Sequence, residues 1–156
     1  MILGALFDLG ADLKAVQDVL ASAGLETVRL TFDRVGGEGS IQHGRCIVSA
    51  PEEHVHRNLE DMLALVHKSD APSRAKNRAQ AIFERLAEAE AAVHGVAVDH
   101  VHFHEVGGLD TIADVLGSCM ALESLDVERV YCAPFKTGRG TVTCAHGILP
   151  VPTPAT

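Results

Sequence analysis

The sequence predicts a single domain of mixed α/β (α+β) class, with helices packed on a small mixed sheet. Two observations support this prediction. Apolar residues recur at helical spacing in the longer segments and alternate with polar residues in the shorter segments between them. A chain of 156 residues with 47% hydrophobic and 22% charged residues also has the size and composition of one ordinary globular domain.

The first part of the chain predicts three helices and a β-hairpin. Apolar residues three and four apart place the helices over 2–9, 12–23 and 58–67. The hairpin has strands over 26–35 and 41–50, because apolar and polar residues alternate there and a glycine-rich turn separates the two runs.

The second part begins with the longest predicted helix, from Pro72 or Ser73 to His94, which Gly95 closes. Beyond it the pattern continues to alternate between strand and helix. We predict a strand over 100–105, a helix from Leu109 or Asp110 to Leu125, a buried strand over 127–133, a short strand within 138–147, and an extended exit imposed by prolines 150, 152 and 154.

Composition excludes several classes of function. A formal net charge of −8 opposes the counterion release that drives nucleic-acid binding. No apolar run is long enough to span a bilayer, and the N-terminal residues lack the basic region and cleavage site of a signal peptide. Four widely spaced cysteines without a C-x-x-C pair fit a reducing compartment. We therefore expect a soluble cytoplasmic protein with no nucleic-acid or membrane partner.

The most informative segment is His100-Val101-His102-Phe103-His104-Glu105. In an extended backbone its three histidines share one face, while the valine and phenylalanine occupy the other. Imidazole suits nickel, zinc, copper and iron, so the segment favours a divalent-metal site without choosing the metal. A half-exposed strand whose polar face happens to be histidine is the alternative.

Two carboxylates follow this segment. Asp110 and Asp114 lie four residues apart, so on the predicted helix they share a face near its N-terminus and can complete a site of histidine and carboxylate ligands. The alternative is that Asp110 caps the helix and that both acids only oppose its dipole favourably.

Two further candidates lie near the C-terminal end. His146, with Cys144 two residues before it, offers another imidazole and a soft donor, although a single cysteine is more often structural. The loop Gly138-Arg139-Gly140 exposes backbone N–H groups beside a guanidinium and can hold a phosphate or carboxylate, with an ordinary turn as the alternative.

Three segments together resemble the LarC family of nickel insertion proteins. They are HFHEVGGLDTIADVLG from His102, the loop Gly138-Arg139-Gly140, and HGILPVPTPAT from His146. The first ten residues, MILGALFDLG, resemble a helix of the same family.

The resemblance implies a cytoplasmic protein that inserts Ni²⁺ into pyridinium-3,5-bisthiocarboxylic acid mononucleotide, with CTP hydrolysed and Mn²⁺ or Mg²⁺ assisting. It implies site residues only where this chain matches the family's motif. The metal set is His102, His104, His146, Glu105, Asp110 and Asp114, and the substrate set is Arg139 with Gly138 and Gly140. We expect the histidines to bind the metal, the aspartates to support them or hold a hydrated cation, and Arg139 to face a phosphate or carboxylate of the substrate. The catalytic base is not identified.

Relative to the family pattern, this sequence is expected to be an N-terminal domain that lacks the family's first strand and its C-terminal CTP-binding domain. We expect that domain as a partner, and little activity from this chain alone. A homo-oligomer stays open. Two other functions also stay open: a metal-dependent hydrolase that uses the His-x-His motif, and a non-catalytic module that binds metal or assembles partners.

Overall fold

The computed structural model describes residues 1–37, 39, 41–53, 55, 57–103, 106–144 and 147–156, without the side chain of Cys144. The described residues form five α-helices, one 3-10 turn and four strands. The helices are α1 (Ile2–Asp8), α2 (Leu13–Ser22), α3 (Leu59–Lys68), α4 (Ser73–His94) and α5 (Leu109–Ser124), and the 3-10 turn is Val98–His100. The strands are β1 (Arg29–Val35), β2 (His43–Ser49), β3 (Thr141–Cys144) and β4 (Gly147–Pro150). The predicted mixed α/β class is confirmed.

The strands form two separate antiparallel hairpins, β1–β2 and β3–β4, each of two strands. In the first hairpin the register runs from Arg29 opposite Ser49 to Val35 opposite His43. Helix α1 lies directly on β2, where a Cβ added to Gly4 would come 2.9 Å from the Gly44 carbonyl oxygen. A residue with a side chain at position 4 would therefore push the helix away from the strand.

The core lies where α4 and α5 pack between the other helices. Helix α4 buries a stripe of small residues at spacings of four around Phe83, and the stripe consists of Ala75, Ala79, Ala87 and Ala91. Small side chains allow neighbouring helices to approach closely, and α4 contacts both α3 and α5. Helix α5 completes the core by packing on α1 and α2.

Local capping explains where two of the helices begin. The Asp12 carboxylate accepts a hydrogen bond of 3.0 Å from the Ala15 N–H and so starts α2. Asn58 starts α3 through a capping box in which the Asn58 side chain accepts from the Asp61 N–H, and the Asp61 carboxylate accepts from the Asn58 N–H. Such caps are readable in sequence, and the predicted boundaries of these helices agree with the structure to within one residue.

Three predicted extended segments differ from the structure. The predicted buried strand over 127–133 is wrong, because no strand forms there and residues 128–140 are all exposed. The predicted strand over 100–105 is reduced, within the described residues, to one antiparallel bridge between Arg57 and Phe103. The predicted extended exit ends instead in a turn, in which the Thr156 N–H donates to the Thr153 carbonyl oxygen at 2.9 Å. Apolar and proline content predicted extended backbone at these places but could not identify a pairing partner.

No helix in the described part of the chain is both long enough and apolar enough to cross a membrane.

Candidate metal-handling site

The segment around His102 has the alternation that the sequence predicted. Val101 and Phe103 are 2% and 1% exposed, so both are core residues. His102, between them, is exposed, and so is His100 at the end of the 3-10 turn. His104 and Glu105 lie outside the described residues. Burial of its two neighbours therefore fixes the backbone of His102 while leaving its imidazole free to reach solvent or a ligand.

One arginine, Arg57, holds both sides of this segment. Its carbonyl oxygen accepts a hydrogen bond of 3.0 Å from the Phe103 N–H, and its Nη1 donates to the Gly107 carbonyl oxygen at 2.9 Å. Its Nη2 forms an ion pair of 2.7 Å with Glu53, and only 13% of the Arg57 side chain is exposed. Arg57 thus holds Phe103 through its backbone carbonyl and Gly107 through its largely buried side chain.

Gly107 packs closely against Phe103. A Cβ at this position would lie 2.6 Å from the Phe103 carbonyl oxygen and 3.1 Å from the Phe103 Cβ. Backbone atoms cannot yield as a flexible side chain does, so position 107 requires glycine for steric reasons. The glycine at position 107 therefore helps to position the segment around His102.

Asp110 and Asp114 lie on successive turns at the start of α5, and both residues are exposed. The interpretation of Asp110 as the N-cap is wrong, because Gly108 is the N-cap and contributes no side-chain hydrogen bond. Asp110 lies in the first turn, where its carboxylate accepts a hydrogen bond of 2.8 Å from the Thr111 N–H. Both aspartates thus lie on one helix, four residues apart, as the sequence predicted.

The protein environment changes the acidity of Asp114 and of its neighbour Cys46. Partial burial raises the pKa of the Asp114 carboxyl, and the charge of Asp110 raises it further, against the opposing effect of the Met1 amino group. Burial also raises the pKa of the Cys46 thiol, and the charge of Asp114 adds to this effect. Asp114 and Cys46 are therefore within electrostatic range of each other, across the contact between α5 and β2.

The predicted substrate-binding loop makes no hydrogen bond or ion pair with these residues in the part of the chain that the structure describes. Gly138, Arg139 and Gly140 are exposed, and no hydrogen bond or ion pair between described residues joins Arg139 to His102, Asp110 or Asp114. Gly140 has a φ of +113°, which disfavours a side chain, and its carbonyl oxygen accepts from the Val151 N–H at 2.9 Å. The structure therefore places Arg139 in an irregular segment that is open to solvent.

Half of the predicted metal set is described: His102, Asp110 and Asp114. His104, Glu105 and His146 lie outside the described residues, as does the side chain of Cys144. Within the described residues no group of three His, Cys, Asp or Glu side chains is arranged to hold a metal ion. The complete ligand set therefore stays a prediction.

Sequence reasoning missed Arg57 and Cys46 at this site. Arg57 lies in a loop without periodicity, and its partner Gly107 is 50 positions away in the chain. Cys46 looks like any apolar residue of a strand. No local pattern marks either one.

Comparison with known proteins then decides the family. The nickel insertion protein family matches residues 1–156, which is the whole chain. The chain belongs to this family. The resemblance seen in the sequence is confirmed.

Full-length family members give the same result. The pyridinium-3,5-bisthiocarboxylic acid mononucleotide nickel insertion protein of Staphylococcus saprophyticus is 42% identical over 156 residues, which are 100% of this chain and 40% of that protein. The protein of the same name from Desulfitobacterium hafniense is also 42% identical, over 100% of this chain and 39% of its own length. The chain thus spans about 40% of the length of these relatives. No solved structure matches the chain.

Proposed function

We propose that this chain handles Ni²⁺ as the metal is inserted into pyridinium-3,5-bisthiocarboxylic acid mononucleotide. The observation that carries this proposal is the family match over residues 1–156, together with the names of the relatives. The proposal treats the chain as the N-terminal domain of a longer protein, as its 40% coverage of the Staphylococcus saprophyticus relative suggests. The hydrolase and assembly alternatives gain no support from these matches.

Nickel is the cargo in this proposal, and the predicted metal set would receive it. His102, His104 and His146 would bind Ni²⁺ through imidazole nitrogen, which suits late divalent metals. Glu105, Asp110 and Asp114 would add oxygen ligands or hold water on a hydrated cation. The described members of this set support the idea, because His102 is exposed on a fixed backbone and both aspartates face outwards from one helix.

The chemistry of insertion needs a proton acceptor. A metal–carbon bond forms as the pyridinium ring carbon loses its proton, while the two thiocarboxylates form bonds to the metal through sulfur. A carboxylate or imidazole of this same surface would accept that proton. Arg139, presented by Gly138 and Gly140, would hold the substrate's phosphate or carboxylate through paired N–H donors.

The remaining requirements are assigned to the rest of the longer protein. CTP hydrolysis, with Mn²⁺ or Mg²⁺, would take place on the part of the polypeptide that this chain does not include, and the insertion reaction would need both parts. The same proposal places the reaction in the cytoplasm, where the mononucleotide would be available.

Calorimetric titration with Ni²⁺ tests the proposal. The wild-type chain is compared with a His102→Ala/His104→Ala variant and with a His43→Ala/His67→Ala control, which loses the same number of imidazoles from exposed positions on β2 and α3. We expect the control to bind as the wild type does. The motif variant should lose at least about tenfold in affinity, since a metal site of this kind depends on each imidazole ligand. Equal affinity of all three chains for Ni²⁺ would show that His102 and His104 do not bind the metal.

A further inference from the structure

The segment 128–140 is the most unusual surface of the molecule. Every residue in it is exposed, and three large apolar side chains are among them: Val130 at 68%, Tyr131 at 82% and Phe135 at 84%. Large apolar groups that are adjacent and exposed mark an interaction surface more often than a free one. The sequence itself predicted a buried strand over 127–133.

The backbone of this segment is as open as its side chains. At its start Arg78 donates through Nη2 to the carbonyl oxygens of Val127 and Glu128, at 2.7 and 3.2 Å. At its end the Gly140 carbonyl accepts from Val151. Between residues 129 and 139 no backbone group hydrogen-bonds to any residue that the structure describes. Both ends are thus fixed, while the middle offers unpaired N–H and C=O groups.

The residue types of this segment suit a β-strand, although no sheet among the described residues includes it. Val127 to Ala133 contains β-branched and aromatic residues, and Pro134 ends the run. An extended segment with free backbone groups and apolar side chains is completed when another strand adds to its edge.

We propose that residues 127–133 form a strand that pairs with a strand from the rest of the longer polypeptide. The matched relatives support this occupant, because most of their length lies outside the 40% and 39% that this chain covers. A second copy of the same segment is the other occupant to consider, and the experiment below distinguishes it from the rest of the longer polypeptide.

The proposal explains why the sequence pattern and the structure disagree over 127–133. It also gives this segment a role separate from the metal site: it joins the nickel-handling part to the remainder of the protein. The proposal does not depend on which residues bind nickel.

Hydrogen–deuterium exchange, read by mass spectrometry, tests this pairing. It is measured on this chain at two protein concentrations and on the full-length Staphylococcus saprophyticus relative, whose match covers 100% of the chain. We expect amides 129–133 to exchange rapidly in this chain at both concentrations. The aligned amides of the relative should exchange at least about 100-fold more slowly, since paired strands open rarely. Amides of β1 are the internal control and should be protected in both proteins.

Three results would overturn the proposal. Rapid exchange of the aligned segment in the full-length relative would mean that no strand pairs with it. Slow exchange in this chain at both concentrations would mean that the segment is already paired within the chain. Protection that rises with concentration, together with the mass of a dimer, would assign the pairing to a second copy.

Discussion

The region before residue 126 and the region after it are built differently. All of the buried apolar residues of the described chain lie between Leu3 and Ala121. After Asp126 no described residue is buried, and the β3–β4 hairpin pairs only with itself. The later region nevertheless contains two of the three segments that resemble the family. The motif that starts at His102 is thus built into the core, whereas the two later motifs contribute no buried residue among those that the structure describes.

Phenylalanine truncation tests this difference most strongly. Phe83 is 0% exposed and Phe135 is 84% exposed. Phe83→Ala should lower the free energy of unfolding by about 3–5 kcal/mol, because it leaves a cavity between α4 and its neighbours. Phe135→Ala should change it by less than about 0.5 kcal/mol. Urea unfolding measures both values, and a large loss in the Phe135 variant would mean that the later region contributes to the core.

The Arg57→Ala substitution tests whether the Arg57 side chain stabilises the segment around His102. Arg57→Ala should cost about 1.5–3 kcal/mol of unfolding free energy, because the Gly107 carbonyl loses a charge-assisted hydrogen bond in a poorly exposed site. Arg85→Ala is the matched control, since the Arg85 side chain is 83% exposed in its pair with Glu88. The control should change stability by less than about 1 kcal/mol. Equal losses of unfolding free energy in the two variants, measured by urea unfolding, would show that the Arg57 side chain does not stabilise this segment.

The Gly107→Ala substitution tests the close contact between Gly107 and Phe103. Gly107→Ala should cost about 1–3 kcal/mol, because the new methyl group meets the Phe103 carbonyl and the backbone must shift. Gly138→Ala is the control, where the nearest atom to an added Cβ is a Val151 methyl at 3.4 Å. It should be nearly neutral. Thermal unfolding measures the stability of both variants. An unchanged stability of Gly107→Ala would show that the backbone accommodates the added methyl group without cost.

The raised pKa of the Asp114 carboxyl predicts a small dependence of stability on pH. Its folded-state pKa is raised above 3.8, so in the interval above that value the folded chain holds the proton more tightly than the unfolded chain does. The stabilising contribution is complete below 3.8 and is lost as pH rises through the folded pKa. Relative to Asp114→Asn, the wild type should therefore become less stable between about pH 4 and pH 7.

Asp110→Asn is the control for this measurement, which compares urea midpoints across that pH range. Removing the Asp110 charge should reduce the slope without abolishing it, since burial is the larger cause of the shift. A wild type that gains stability relative to Asp114→Asn as pH rises would contradict the assignment.

The sequence correctly predicted the helices and strands that are determined by interactions between residues close together in the chain. The caps at Asp12 and Asn58 and the left-handed C-cap at Gly95 act within one helical turn, so the ends of those helices are readable. The β1–β2 hairpin was predictable because alternation and a glycine turn are also local. The prediction failed over 127–133, because burial of a strand depends on a partner that periodicity does not identify.

The candidate ligands of the site were predictable from the sequence, but the residue that holds their segment in place was not. His102, Asp110 and Asp114 stand out by type and spacing, and the structure leaves all three exposed. Arg57 could not be found from the sequence, because its contact with Gly107 joins residues 50 apart. Ligation by His104, Glu105 and His146 stays a prediction, since they lie outside the described residues.

The most direct test of the account is to locate nickel on the molecule. Crystals of this chain grown with Ni²⁺ would be measured at the nickel absorption edge, and an anomalous difference map would place the metal. We expect a peak beside His102, close to the start of α5 and within reach of Asp110 or Asp114. A peak only at His43, His67 or His94 would contradict the account, as would a map without a nickel peak at saturating metal.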